Sequence, residues 1–309
     1  MPLFLAEVDV AALLTPAEAL PVVEESFRRL AGGRVENVPR RRLALDDGSF
    51  ALMAAVDPEL GYAGLKSYTV VGGRLSFVVC LFSLASGELA AVLEADALGQ
   101  RRTGAASGVA AKYLARSAAT SLGVIGCGWQ AESQVEAIRA AVPTIERVIA
   151  FCRTPEKLAA FCAKTGAAPA ESPREAAAQD IVVTATTSKD PVLRGEWLEE
   201  GALVCAIGAN DRRARELDDV VLERATFVCC DSREQAKLES GDLIEPVAHG
   251  VIDWLEVYEL QDVVAGTVPG RGAETDIAVF KSNGLAAWDV AVGVAVLDRA
   301  RERGIGREL

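Results

Sequence analysis

The spacing of apolar residues divides the chain into stretches of different character. Runs at 42–45, 50–56, 63–70, 76–84 and 88–93 are short and separated by Asp-Gly, Pro, Gly-Gly and Ser-Gly turns, the spacing of an antiparallel sheet. Ahead of them, Thr15-Pro16-Ala17-Glu18 has the form of a capping box with proline at the first helical position. The helix it opens should stop near Gly32-Gly33. From Leu122 the pattern changes to alternating strand and helix. Runs at 122–125, 147–151, 180–184, 202–207 and 226–230 have the length of buried parallel strands, with helical stretches between most of them. The final part opens with a strand near Ile277 and Gly284, then becomes an alanine- and valine-rich helix ending in Asp298 to Arg303.

The strand Leu122 to Ile125 runs into Gly126, Cys127, Gly128, Trp129, Gln130 and Ala131. This G-x-G-x-x-A turn between a strand and a helix is the mark of a dinucleotide site. Gly126 and Gly128 let the backbone approach a pyrophosphate, Ala131 lets the helix pack closely on the strand, and Trp129 and Gln130 complete the set of expected contacts. Cofactor choice is read at the end of the next strand, in Phe151-Cys152-Arg153-Thr154. A carboxylate there would repel a 2'-phosphate, whereas Arg153 and Thr154 suit one. NADP(H) is therefore expected over NAD(H). Thr184, Thr186 and Ser188 follow the third main strand at its carboxyl end, where ligands bind in open parallel sheets. For Thr187 and Ser188 a hydroxyl-rich turn is the alternative.

Composition shifts near 115 and 280 suggest an α/β protein with an inserted domain. Residues 116–279 would form a Rossmann dinucleotide-binding domain. Residues 1–115 and 280–309 would form an α+β domain around it. Just ahead of the glycine turn, Arg102 stands beside Thr103, read as the N-cap of a helix of small residues. An arginine at the positive end of a helix dipole is a seat for a carboxylate.

The formal net charge of -12 over 309 residues argues against nucleic acid or an anionic membrane as partner. No amino-terminal segment joins a basic start to an apolar run, so the chain is expected to be cytoplasmic. The cysteines at 80, 127, 152, 162, 205, 229 and 230 are not at metal spacings, and reduced structural thiols are expected. His249, the single histidine, sits among glycines and prolines and reads as a loop residue. No metal site is expected.

The runs LEADALGQRRTGAASGVAAKYLA, GVIGCGWQA, VTATTSKDPVL, AIGANDRRARELD, DSREQAKLESGD and VFKSNGLAAWD together resemble the ornithine cyclodeaminase and mu-crystallin family. The resemblance implies a substrate-binding and dimerising domain made from both chain ends around a Rossmann domain, hence a homodimer. It also implies a carboxylate clamp at Arg41, Lys66 and Arg102, with the register of Arg41 against Arg40 and Arg42 open. Lys66 is then suited to deliver a proton, since burial among cations lowers an ammonium pKa toward neutrality. Ser282 and Gly284 match the family's nicotinamide-side loop, and Asn210 and Thr103 are placed beside the cofactor. At Asn210 the chain departs from the cyclodeaminases, which carry aspartate there. A neutral amide cannot be a general base, and Asp211 could substitute only if the loop shifts by one. The expected activity is NAD(P)H-dependent reduction of small α-imino acids such as pyrroline-2-carboxylate. Ornithine cyclodeamination, or a mu-crystallin-like binding role without turnover, are the alternatives.

Overall fold

The computed structural model describes residues Met1–Leu309, which divide into two compact units. Met1–Arg102 and Gly284–Leu309 make one, Thr103–Asn283 the other. The first begins with β1 (Leu3–Leu5), α1 (Glu7–Leu13) and α2 (Pro16–Ala31). The Thr15–Glu18 capping box is present, and α2 ends at Gly32 as expected. Then come β2 (Glu36–Leu45), β3 (Gly48–Asp57), β4 (Tyr62–Val71), β5 (Arg74–Ser83), β6 (Leu89–Glu94) and the first turns of α3 (Asp96–Leu114). Strands β2 to β6 form the expected antiparallel meander, and β1 joins in parallel beside β6.

Two local features of this unit decide where its charges point. Between Val38 and Arg41 the β2 register slips against β3, so Pro39 and Arg40 oppose the single residue Met53. Such a bulge reverses the in–out alternation that follows it. Arg40 is buried in consequence and Arg41 is exposed. The second feature is the start of α3. The helix begins at Asp96, so Thr103 is not an N-cap and Arg102 lies in the helix interior, away from the positive end of the dipole. The cap is non-local: Asp96 and Ala97 donate their backbone N–H groups to the Glu7 carboxylate at 3.0 and 2.6 Å.

The second unit contains β7 (Ser121–Ile125), α4 (Trp129–Ala141), β8 (Arg147–Phe151), α5 (Pro155–Thr165), β9 (Ala168–Pro169), α6 (Pro173–Ala177) and β10 (Ile181–Thr184). It continues through β11 (Leu203–Ala206), α7 (Asp219–Arg224), β12 (Ala225–Cys230), α8 (Arg233–Glu239), α9 (Gly241–Ala248), β13 (Val257–Glu259), α10 (Leu260–Val264) and β14 (Ile277–Lys281). The strands pair in parallel in the order β13-β12-β14-β11-β10-β7-β8-β9. From β7 the chain winds one way to β9 and then crosses to β10 on the other side. The switch point of this doubly wound sheet therefore lies between β7 and β10.

The chain returns to the first unit as α11 (Ala286–Arg303), which packs on α2 and on β2 to β5, and β15 (Arg307–Glu308), which pairs with β1. The unit boundaries fall at 102/103 and 283/284 rather than at 115 and 280. Helix α3 runs unbroken across the first, so composition marks only its end. At the second, β14 hydrogen-bonds to β11 and β12. No helix is long and apolar enough to cross a membrane. All cysteines are free, with Cys205, Cys229 and Cys230 buried in strands. His249 is exposed and pairs with Asp219 at 2.9 Å.

Candidate active site

In the first unit, period-two alternation places Lys66 of β4 on the buried face opposite Met53 and Val79. Its ammonium lies 3.1 Å from Asp289 Oδ1 of α11, and Arg102 Nε donates to the same oxygen at 3.0 Å. All three side chains are nearly excluded from solvent. Two glycines make room: a Cβ on Gly99 would stand 2.9 Å from Lys66 Nζ, and one on Gly284 would overlap the Arg102 guanidinium. Gly284 also holds φ 85°, a left-handed conformation that favours glycine. The Arg102 guanidinium lies 5.7 Å from the Trp288 ring, and Lys66 Nζ lies 5.0 Å from that of Phe77.

The charges in this cluster do not balance. Lys66 and Arg102 share one carboxylate, and buried Arg40 adds its field. Burial pushes the Lys66 ammonium down to about 8, with Arg102 and Arg40 lowering it further and Asp289 opposing them. Asp289 Oδ2 and Trp288 Nε1 are buried without hydrogen-bond partners. Cations gathered in a dry site are costly until an anion joins them. Such a cluster can take up an anion, and a fork-shaped guanidinium beside an ammonium suits a carboxylate.

In the second unit, the turn after β7 fits a dinucleotide. Gly126 has φ 108°, and a Cβ there would overlap the Ala185 carbonyl. A Cβ on Gly128 would meet nothing within 4 Å. That open face lies at the amino end of α4, where Gly128 is the N-cap and no side chain caps the helix. Backbone N–H groups and the helix dipole make such an end a phosphate site. Gln130 Oε1 is buried there without a partner. Arg153 and Thr154 are exposed beyond the end of β8, and the Thr154 hydroxyl makes no capping bond to α5. Trp129 is also exposed.

Several expected contacts are engaged elsewhere. Thr184 is fully buried and its hydroxyl donates to Glu216 at 3.0 Å, so it presents nothing to a cofactor. Thr186 donates through both its N–H and its hydroxyl to the same carboxylate. The Ser188 hydroxyl donates to the Asp190 carbonyl, the hydroxyl-rich turn held as the alternative. Ser282 is buried and donates to Asp231, and Gly284 serves the packing of Arg102. Of the β2 arginines it is Arg40, not the expected Arg41, that turns inward, because of the β2 bulge. Asn210 is exposed. Asp211, its neighbour, is bonded to the Arg213 backbone and guanidinium.

Sequence reasoning passed over Asp289, Glu216, Asp231, Asp242 and Lys281, all buried. Each lies inside a run that carried the family resemblance, and that was the available signal. A further groove, lined by Arg116, Thr120, Arg147 and Asp180, opens at the amino ends of β7 and β10. There Asp180 bonds to the Thr120 and Ser121 backbones, a strut at the end of the sheet opposite the glycine turn.

Known proteins resemble this chain over most or all of their length. An alanine dehydrogenase of Archaeoglobus fulgidus is 37% identical over 99% of this chain and 98% of its own. A Delta(1)-pyrroline-2-carboxylate reductase of Bacillus cereus is 36% identical over 86% of each chain. The solved Delta(1)-pyrroline-2-carboxylate reductase of Thermococcus litoralis, in complex with NADH and L-proline, superposes with a TM-score of 0.94 at 32% identity, covering 99% of this chain and 100% of that one. The profile of the ornithine cyclodeaminase/mu-crystallin family matches residues 1–304, and with the glycine turn and the buried cation cluster in place the chain belongs to that family.

Proposed function

We propose that the protein is an NAD(P)H-dependent reductase of small α-imino acids, with cyclic ketimines such as pyrroline-2-carboxylate as substrates. The observation that carries this reading is the buried pair of cations, Lys66 and Arg102, held on the single carboxylate of Asp289. Alanine and pyrroline-2-carboxylate, the compounds in the relatives' names, share a nitrogen-bearing carbon next to a carboxylate. Arg102 would hold that carboxylate through its guanidinium edge, with Arg40 supplying further charge. Lys66 would deliver the proton to the nitrogen, because an ammonium near pKa 8 can both hold and release one around neutrality. Asp289 would keep Lys66 and Arg102 in register through its shared oxygen.

A reduced nicotinamide, when bound, supplies the hydride. Gly126, Gly128 and the start of α4 would hold its pyrophosphate. Arg153 and Thr154 would favour the 2'-phosphate of NADPH, since no acidic side chain stands in Cys152-Arg153-Thr154. Asn210 is neutral, and Asp211 is committed to Arg213. That disfavours cyclodeamination, which needs a base at this point. A homodimer is also inferred, through the sheet of the first unit, which exposes Val38, Leu43, Leu45, Val71 and Leu75.

The test is to incubate the protein with pyrroline-2-carboxylate and NADPH, following loss of reduced-nicotinamide absorbance and formation of proline. Proline produced in step with NADPH oxidised supports the reading. Tight cofactor binding with no turnover of any cyclic or linear imino acid would replace it with a binding role. Ammonia and proline released from L-ornithine would replace it with cyclodeamination.

A further inference from the structure

Three buried carboxylates and one lysine tie together the carboxyl ends of β10, β11, β12 and β14. Glu216 is the centre. Its Oε1 accepts from the Thr186 N–H at 2.7 Å and the Thr186 hydroxyl at 2.8 Å. Its Oε2 accepts from the Thr184 hydroxyl at 3.0 Å and the N–H groups of Gly208 and Ala209 at 2.6 and 3.3 Å. The Glu216 backbone is held in turn: its N–H and that of Leu217 donate to Asp242 Oδ1. Lys281 closes the circuit with an ion pair to Asp242 at 2.9 Å and a bond to the Ala209 carbonyl at 2.6 Å. Asp231 similarly receives Ser282 and the Asn283 N–H.

Burying this much charge is expensive, and a fold does not need it to join parallel strands. The donors themselves show what the expense secures. The backbone N–H groups of Thr186, Gly208 and Ala209 can only donate, so the ionised carboxylate serves them best, although burial pushes its pKa up. The loops it binds are those beside the switch point. Gly126 packs on Ala185 with no room for a Cβ between them, and Gly208 lacks a side chain where one would overlap Thr186 and the Glu216 carboxylate. The glycine turn, the 185–186 segment and the 208–209 segment are thus set against one another around one anion.

We propose that Glu216 is a positioning residue for the dinucleotide: its carboxylate fixes the loops after β10 and β11 against the Gly126 turn, so that this edge meets the cofactor already in its bound shape. The proposal rests on the reductase reading, and it concerns the cofactor half of the site alone. Preorganisation lowers the cost of ordering on binding, so loosening the loops should appear as lost affinity.

Two variants test it. Glu216→Gln keeps the shape but turns an amide NH2 toward N–H donors. Thr184→Val removes one donor at a position with no ligand-facing surface. Both are titrated with NADPH by fluorescence, without imine substrate, so the result stands whether or not the reductase reading survives. Thr184→Val is expected to weaken NADPH by about fivefold, and Glu216→Gln by about tenfold or more, as expected for one and for several hydrogen bonds. With substrate, KM for NADPH should rise in the same order while kcat at saturating cofactor and KM for the imine change little. A merely structural residue would lower the melting temperature and leave NADPH affinity unchanged, and that result overturns the proposal. If Glu216→Gln does not fold, Thr184→Val decides alone: wild-type affinity in that variant overturns it.

Discussion

Replacing Lys66 by methionine should make the protein more stable and inactive. Methionine keeps the unbranched stem against Met53 and Val79 and removes only the ammonium. Burial lowers that ammonium from 10.5 to about 8, and each unit is about 1.4 kcal/mol, so holding the charge in the folded state costs about 3 kcal/mol. Below about pH 8 the group is charged in both folded and unfolded chains, and the penalty is present in full. Between about pH 8 and 10.5 the unfolded chain holds the proton and the folded one does not, so wild-type stability rises with pH there. Urea denaturation of the cofactor-free proteins at about pH 7 should show Lys66→Met ahead by up to about 3 kcal/mol, narrowing by about pH 10. Imine reduction by the variant should be lost by orders of magnitude for want of the proton donor. A variant less stable than wild type at neutral pH, or a difference that does not change with pH, would refute the claim that this charge is held at a cost.

If Lys66 is the acid, kcat/KM for imine reduction should fall as pH rises through about 8. Asp289→Asn, which withdraws the one charge raising that pKa, should move the fall to lower pH, as read from pH–rate profiles of both proteins. Arg102→Ala should cut kcat/KM by about a hundredfold or more while NADPH titrations stay close to wild type, since the glycine turn belongs to the other unit. Arg102→Lys should recover only part of the loss, because a point charge lacks the fork. Arg153→Asp should reverse the order of NADPH and NADH affinity, from a contact worth about 1.5 to 3 kcal/mol. Equal affinities in the unmodified protein would dispose of that preference.

Where the chain wrote its structure locally, the sequence could be read. The glycine turn, the parallel strands and the Thr15 cap each depend on neighbours a few positions away, and each stands where periodicity places it. Lys66 was legible for the same reason, as an inward position on an alternating strand. What was hidden depends on distant partners. The α3 cap comes from Glu7, so nothing near Asp96 announces the helix start and Thr103 looks like one. The bulge at Pro39 and Arg40 is a matter of register with β3, and a run of three arginines gives no sign of which one turns inward. Asp289, in an alanine-rich helix, has the pattern of a solvent-facing acid until β4 and α3 bring Lys66 and Arg102 to it. Thr184, Ser188 and Ser282 are hydroxyls at strand ends, and sequence alone does not separate those that face a ligand from those that serve a buried carboxylate.

The order in which these residues leave the ribosome has a cost of its own. Lys66 and Arg102 are made early, whereas Asp289, 187 residues beyond Arg102, arrives with the last helix. Until then the nascent chain carries its cations without their counter-charge, and the sheet of the first unit lacks the helix that covers it. The second unit, complete at Asn283, can fold meanwhile, since domains generally fold as units during synthesis. A chain that stops short of α11 therefore carries Lys66 and Arg102 without Asp289, and quality control meets it as a half-finished protein with an open apolar sheet.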